Sequence, residues 1–405
     1  MSSRQKRSKL MINIGVLSVF VGTVGLAAVM ANSGAEVVSP LVEPPVVDNQ
    51  VSVLVAESPK IQVAILLDTS SSMDGLIDQA RNQLWQVVNE FSMAKKNGLT
   101  PKLEVAVFEY GNDGLSSRRG FTRQVIGLTA DLDRVSEALY SLTTNGGSEY
   151  CGYAIQSAVN ELAWTTSDDA IKTIFIAGNE PFTQGNVSYK NAIMQANSAG
   201  IRVNTIHAGD YDVGVSDGWQ AGALLAGGNF MSINHNQQVV HIVAPQDKEI
   251  ALLNQQLNET YVPYGDSGRS GVARQMKQDA NSNDVSIGML AKRAKTKASS
   301  FYDSSEWDLV DALEKNKLEL TSVDERALPS AMQGMNTQEK VDYITEKSES
   351  RKQLKEQISN LAKQRDEYVV DKKREQAESE GATIDSALID AIRAEAKKKA
   401  YSFQE

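Results

Sequence analysis

The sequence predicts an α/β fold: a doubly wound, mainly parallel six-stranded sheet with one antiparallel edge strand, followed by an all-helical C-terminal region. Three observations carry that expectation. Short apolar runs recur between Ile61 and Ile233, with helix-like spacing between most of them. One connection is too rich in glycine to hold a crossover helix. From Val272 onward β-type alternation stops, and Ala, Lys, Glu, Gln and Arg dominate.

The first strand is Ile61 to Leu67, an apolar run of the kind buried on both faces. It ends in the polar turn Asp68-Thr69-Ser70-Ser71-Ser72, after which Leu76, Ala80, Leu84, Val88 and Phe91 recur at helical spacing. Further strands are predicted at Leu103 to Phe108, Gln124 to Leu128, Ile171 to Ala177, Ile201 to Ile206 and Phe230 to Ile233. Asn191 to Ser198 and Trp219 to Leu225 read as helices between them, a βαβ alternation that implies a parallel sheet covered on both sides. The link from Tyr110 to Gln124 contains Gly111, Gly114, Ser116, Ser117 and Gly120, so its two strands should pair antiparallel at the sheet edge.

Ahead of the sheet, Arg4, Lys6, Arg7 and Lys9 precede an uncharged stretch from Leu10 to Ala31, and no acidic residue occurs before Glu36. This pattern is that of an export segment whose positive end stays in the cytoplasm. Small residues offer cleavage after Ala31 or Ala35, yet the run also approaches the roughly 20 residues of a bilayer-spanning helix. Residues 1–35 thus read as a signal peptide or an N-terminal membrane anchor, and residues 36–60, with Pro40, Pro44, Pro45 and Pro59, as an extended linker. Either reading puts the rest of the chain outside the cytoplasm, periplasmic or membrane-anchored at the cell envelope. The α/β domain is expected over residues 61–265 and the helical region over residues 272–405, with Tyr261 to Gly271 as the link.

Composition removes several function classes. The 405 residues carry 41 Lys and Arg against 51 Asp and Glu, a net charge of −10, and the basic start makes the remainder still more acidic. Nonspecific nucleic-acid binding is therefore not expected. The lone Cys151 excludes an intramolecular disulfide, CxxC redox chemistry and a cysteine-rich zinc site. His207, His235 and His241 stand at no zinc-ligand spacing.

In a doubly wound sheet, ligands bind beyond the carboxyl ends of the strands, near the point where strand order reverses. Three polar loops fall at or beside those ends: Asp68 to Ser72, Thr143 to Glu149, and Gly178-Asn179-Glu180. A carboxylate with hydroxyls is a hard oxygen set suited to Mg²⁺, Mn²⁺ or Ca²⁺. The plain alternative is a strand-to-helix turn in which Ser70 or Ser72 caps the helix.

Asp68-Thr69-Ser70-Ser71-Ser72-Met73 directly after a hydrophobic strand resembles the DxSxS motif of von Willebrand factor type A domains. Thr144-Asn145-Gly146-Gly147-Ser148 resembles the loop that supplies the family's threonine ligand. Ile174 to Pro181 resembles the strand and loop that supply its second aspartate. The resemblance spans roughly Ile61 to Gly265. It implies a metal-ion-dependent adhesion site held by Asp68, Ser70, Ser72, Ser148 and Asn179, with one coordination position open to a protein partner's Asp or Glu. Ser148 stands at the threonine position, with Thr144 the alternative, and Asn179 stands where an aspartate is usual. With Asp68 as the only carboxylate, a divalent ion leaves the site positive: weaker retention of the ion, stronger pull on an anionic partner group. Glu149 or Glu180 would restore the missing charge by reaching inward.

Catalysis is not expected. Gly265-Asp266-Ser267-Gly268 resembles the nucleophile tetrapeptide of trypsin-like proteases, but it follows an α/β pattern without the required His and Asp and reads as a linker. The Asp68 turn lacks the second aspartate of DxDxT phosphotransferases, and no GxxxxGK[ST] loop occurs.

In the C-terminal region, Glu249 to Leu257, Met289 to Ala298 and Trp307 to Leu313 read as helices. Thr337 opens a long helix, Thr337-Gln338-Glu339-Lys340 forming its cap. Leu354, Ile358, Leu361 and Tyr368 make a short coiled-coil-like seam interrupted by Arg365. Gly381 would end this helix, and Ile384, Leu388 and Ile392 mark a last one, giving a hairpin that packs on itself or on a second copy. The order of elements resembles that of bacterial exported type A proteins. The expected function is protein binding through a divalent cation; the alternative is a metal-independent envelope scaffold.

Overall fold

The computed structural model describes residues 58–73, 77, 85, 88–91, 93–233, 242–377, 393–394 and 396–403. The chain divides into two units, Met1–Val55 and Ala56–Glu405, and all described residues belong to the second. The export segment and most of the tether lie outside the described residues, as do Gly381, Ile384, Leu388 and Ile392 of the expected last helix.

Strands β1 (Lys60–Asp68), β3 (Lys102–Tyr110), β4 (Thr122–Thr129), β5 (Ile171–Gly178), β6 (Arg202–Ala208) and β7 (Phe230–Ile233) form one six-stranded sheet in the order β4-β3-β1-β5-β6-β7. All neighbours are parallel except β3 and β4, which pair antiparallel at the edge. The short link between those two turns through Gly120 in left-handed conformation. The chain starts at β1, builds outward through β3 to β4, then returns to build β5, β6 and β7 on the other side of β1. The crevice of a doubly wound sheet opens at that reversal.

Period-two alternation divides the strand residues between two cores. Ile61, Val63 and Leu67 of β1 join Val105 and Val107 of β3 on one face, where Val88 and Phe91 close the core. Leu76, Ala80 and Leu84 of that predicted helix lie outside the described residues. Ala64 and Leu66 join Ala106, Phe108 and Tyr110 on the other face, under α2 (Cys151–Glu161), α3 (Tyr189–Ser198) and α5 (Trp219–Leu225). Helix α1 (Leu132–Tyr140) covers the first face and begins at Asp131, whose carboxylate accepts from the Asp133 and Arg134 N–H groups. Between β6 and α5 lies the single short helix α4 (Tyr211–Ser216).

The C-terminal region is helical: α6 (Asp247–Asn258), α7 (Gly265–Val285), α8 (Ile287–Ala298), α9 (Leu309–Glu314) and α10 (Thr337–Ala377). The glycines at 265, 268 and 271, expected in a linker, lie inside α7. Two of them permit close approach: a Cβ at Gly271 would fall 2.3 Å from Trp307, and one at Gly268 would fall 3.0 Å from the Pro263 backbone. The start of α10 also differs from expectation by one residue. Its cap is Asn336, which accepts from the Glu339 N–H at 3.0 Å while Glu339 accepts from the Asn336 N–H at 2.8 Å. The apolar seam of α10 faces its own chain: Leu354 and Ile358 are buried with Leu253 and Leu257 of α6 and Ala291 and Ala294 of α8. Arg365, the break in that seam, pairs with the buried Asp247 at 2.6 Å. Among the described residues no helix is long and apolar enough to cross a membrane.

These helices are built into the α/β core. Met289, Phe301, Ala396 and Tyr401 complete the core on the first face of the sheet. Arg293 of α8, fully buried, donates to Asp133 of α1 and to Asp279 of α7, both at 2.6 Å. Near the end of the chain, β8 (Ser402–Phe403) pairs antiparallel with β2 (Ala94–Lys95).

Candidate metal centre

Asp68 is the last residue of β1, in register with Tyr110 at the end of β3. Its side chain is fully buried. One oxygen, Oδ1, accepts from the Ser70 N–H at 2.7 Å, which folds the turn back over the strand end. The other oxygen, Oδ2, is buried and has no hydrogen-bond partner. An orphaned buried acceptor costs about 1–3 kcal/mol, and more when charged, so the turn leaves this oxygen aimed at a place where a cation would be favourable.

Two hydroxyls and an amide meet in the same turn and the facing loop. Ser70 Oγ and Ser72 Oγ are 3.0 Å apart, and the Ser72 hydroxyl lies 3.1 Å from Asn179 Nδ2 and 3.3 Å from its Oδ1. Asp68, Ser70, Ser72 and Asn179 thus converge from two loops separated by over a hundred residues, as parallel β1 and β5 require. Ser71 points the other way and locks the third loop in place: its N–H donates to the Gly146 carbonyl, and its hydroxyl accepts from the Gly146 N–H, both at 3.0 Å. The Asn145 N–H donates to the Thr69 carbonyl, fixing the same loop.

Ser148 lies on that third loop, half-buried, its backbone bridged to Gly111. Among the described residues no side-chain hydrogen bond joins Ser148 to Asp68, Ser70 or Ser72. Thr144 sits half-buried earlier on the loop. The side chain that reaches inward is Glu149, which is 2% exposed. A Cβ built on Gly111 would lie 2.4 Å from Asp68 Oδ1 and 2.9 Å from Glu149 Cγ, so the two acidic side chains pack side by side against this glycine. The Gly111 φ of +83° is a second reason for the residue. Burial, and then the neighbouring Asp68, push the Glu149 carboxyl up to about 10, and burial raises that of Asp68 as well. Two carboxyl groups crowded together out of water resist joint ionisation unless positive charge is supplied. Glu180 stays half-buried and contributes its backbone: its N–H donates to Glu149 Oε2 at 3.3 Å, and its carbonyl accepts from Trp219 Nε1 at 2.9 Å.

Beneath the site, the Tyr110 hydroxyl donates to the Ala177 carbonyl at 2.9 Å and lies 3.6 Å from Cys151 Sγ. A Cβ on Gly178 would meet that hydroxyl at 2.4 Å, so only glycine lets the end of β5 settle over Tyr110 and beside Asp68. Complete burial holds both the tyrosine and the cysteine in their neutral forms. Cys151 is a packing residue here, as are the buried His207 and Trp219.

The donor set fits a hard divalent cation: one carboxylate with an orphaned oxygen, two hydroxyls from one turn, an amide from a second loop and a further carboxyl from a third. No group of three or more His, Cys, Asp or Glu side chains placed to hold a metal occurs among the described residues. Any ion at this site therefore depends on hydroxyl ligands. Sequence alone marked the Asp68 turn and Asn179 but left Glu149 and Glu180 equal; the register of the loop before α2 separates them.

Residues 62–215 match the family model of the von Willebrand factor type A domain. Among solved structures, the conserved hypothetical protein BatB from Bacteroides thetaiotaomicron is similar at 16% identity and TM-score 0.33, over 43% of this chain and 90% of that one. An aerotolerance-related membrane protein from Bacteroides fragilis is similar at 16% identity and TM-score 0.31, over 44% and 93%. Proximal thread matrix protein 1 from the mussel byssus, in a form with a zinc-occupied MIDAS motif, is similar at 14% identity and TM-score 0.32, over 44% and 43%. No curated protein matches the chain. Residues 62–215, with the six-stranded sheet and its loops in this order, form a von Willebrand factor type A domain, here followed by a helical C-terminal region.

Proposed function

We propose that this chain is a non-catalytic binding module that recognises a protein partner through a divalent cation held by Asp68, Ser70 and Ser72, with Asn179 as a neutral fourth group. The carrying observation is Asp68 Oδ2: buried and without a hydrogen bond, in the same turn as the paired Ser70 and Ser72 hydroxyls. A bound Mg²⁺, Mn²⁺ or Ca²⁺ supplies a Lewis acid that takes a carboxylate from the partner. Asp68 fixes the position of the ion. Ser70 and Ser72 orient their hydroxyls through their mutual contact, and Asn179 holds Ser72 from the opposite loop. Ser148, at the rim, is a further candidate through its hydroxyl. The basic start and apolar stretch of residues 1–35 support export, with the domain at the outer side of a membrane, retained by an anchor or released after cleavage.

Titration calorimetry with Mg²⁺ and Mn²⁺ tests the reading: heat of binding in the wild type and none in Asp68→Ala supports it. Partner capture that survives both EDTA and Asp68→Ala overturns the metal mechanism.

A metal-independent scaffold is the second reading, and one observation favours it. Ser70, Ser72 and Asn179 already hydrogen-bond in series, Ser70 to Ser72 and Ser72 to Asn179. Under that reading the helices, packed into the α/β core, carry the assembly role.

A further inference from the structure

We infer that Glu149 is the second carboxylate ligand of the cation site, supplying from the loop before α2 the negative charge that Asn179 does not bring. The inference rests on the cation reading above and specifies which residues complete it.

Four features carry it. Glu149 is 2% exposed although it lies on a loop whose neighbours are half-buried or exposed, so the backbone turns this one side chain inward. It packs beside Asp68 against Gly111, at a position with no room for a Cβ. The loop is held at fixed depth: Gln184 Oε1 accepts from the Glu149 N–H at 2.6 Å, and Gly146 is tied to Ser71 from the other side. The buried, unpartnered Asp68 Oδ2 lies in the same pocket, so the two acidic groups together hold fewer donors than acceptor sites. Two such groups in contact away from water do not both ionise unless positive charge lies between or beside them. Glu180 is the competing acid, and it enters the site through its backbone N–H and carbonyl.

The charge of the site follows. With Asp68 and Glu149 both ionised around a divalent ion the formal charge is zero. The ion is then retained before a partner arrives, and the partner's carboxylate is drawn by the open coordination position more than by net positive charge. A site with Asp68 alone would show the opposite order, weak retention and strong anion attraction.

The test is Mn²⁺ and Mg²⁺ calorimetry on the full chain as wild type, Asp68→Ala, Glu149→Gln, Asn179→Asp and the double variant Glu149→Gln/Asn179→Asp, with thermal melting in EDTA as the control for folding. Glu149→Gln keeps the shape and removes the charge. It should weaken binding by roughly 10- to 100-fold, the scale on which groups around a metal act, and the double variant should recover most of that loss. Glu149→Gln binding as tightly as wild type, with Asp68→Ala inactive, overturns the role of Glu149 and leaves the cation reading standing. No metal binding by the wild type, or equal binding by Asp68→Ala, overturns the cation reading itself, and the role of Glu149 with it. If Glu149→Gln melts far lower than wild type in EDTA, recovery of binding in the double variant decides: recovery supports the charge role, and its absence overturns it.

Discussion

Arg351 of α10 clasps Asp308 with two nitrogens, at 2.6 and 3.1 Å, while Asp308 also accepts from the N–H groups of Val262 at 2.6 Å and Asp311 at 2.9 Å. One aspartate therefore caps α9, anchors the strand-like segment after α6 and receives the long helix. The arginine also reaches Asp311 and the Thr260 carbonyl at 2.7 Å and lies 4.1 Å above the Tyr261 ring. Both partners are almost fully buried. Arg351→Ala leaves two buried carboxylates without their cation and should destabilise the fold by about 3–5 kcal/mol. Lysine lacks the planar fork, so Arg351→Lys should recover only part of this. Urea denaturation of the three proteins checks the order wild type, Lys, Ala.

Acid should unfold the protein through Asp279. Its carboxyl is buried, yet Lys297 and Arg293 hold it well below the usual carboxylate range. A depressed folded pKa means that the stabilisation is complete above the unfolded value, about 3.9, and is lost as pH falls below it toward the folded value. Protonation then leaves Arg293 and Lys297 buried with less compensating charge. Melting temperatures from pH 6 to pH 2 should fall steeply below about pH 4. Asp279→Asn should start lower and show a shallower slope in that window.

Gly111→Ala should disable the candidate metal centre. The added Cβ would lie 2.4 Å from Asp68 Oδ1, at a φ of +83° that disfavours any side chain. Both Asp68 and Glu149 would have to move. Calorimetry should show cation affinity reduced by at least about 10-fold, with far-ultraviolet circular dichroism unchanged; full affinity would show that the two side chains are not held at that glycine.

Cys151 should be inert in the folded protein. The thiol is 1% exposed and burial raises its pKa, so thiolate is scarce. A thiol-reactive dye should label it only on unfolding, with a labelling midpoint that tracks the urea transition. Prompt labelling of native protein would contradict the packing around Tyr110.

Tyr401 should be worth more than its place near the end of the chain suggests. It is 5% exposed, its hydroxyl donates to the Lys60 carbonyl at 3.2 Å, and the Lys96 ammonium lies 5.2 Å from its ring. Tyr401→Ala should cost about 3–5 kcal/mol, as for other large buried aromatics, and Tyr401→Phe about 0.5–1.5 kcal/mol for the hydrogen bond. Differential scanning calorimetry separates the two.

The sequence made the strands of this fold legible because parallel strands buried on both faces must be written as apolar runs. Ile61 to Leu67 and Ile171 to Ala177 show that requirement plainly. The antiparallel edge followed from a negative sign, the glycines between Tyr110 and Gln124. Helix α7 escaped because its glycines are the same letters that mark a linker; Gly271 is explained only by Trp307, distant in sequence. The candidate site was half legible for a similar reason. Asp68, Ser70 and Ser72 lie within one turn and declare themselves by spacing. Glu149 and Glu180 are both single acids in polar loops, and their backbones are held by distant side chains, Gln184 accepting from the Glu149 N–H and Trp219 donating to the Glu180 carbonyl, which no local pattern encodes.

The pairing of β8 with β2, and of Tyr401 with Lys60, also bears on how the protein comes into being. A ribosome delivers Lys60 hundreds of residues before Tyr401, and the first face of the sheet waits for Met289, Phe301, Ala396 and Tyr401 to complete its core. Contacts of such long sequence separation form slowly. The nascent α/β segment therefore spends its synthesis with the first face of its sheet only partly covered, α1 and Phe91 already in place and Ala396 and Tyr401 arriving last.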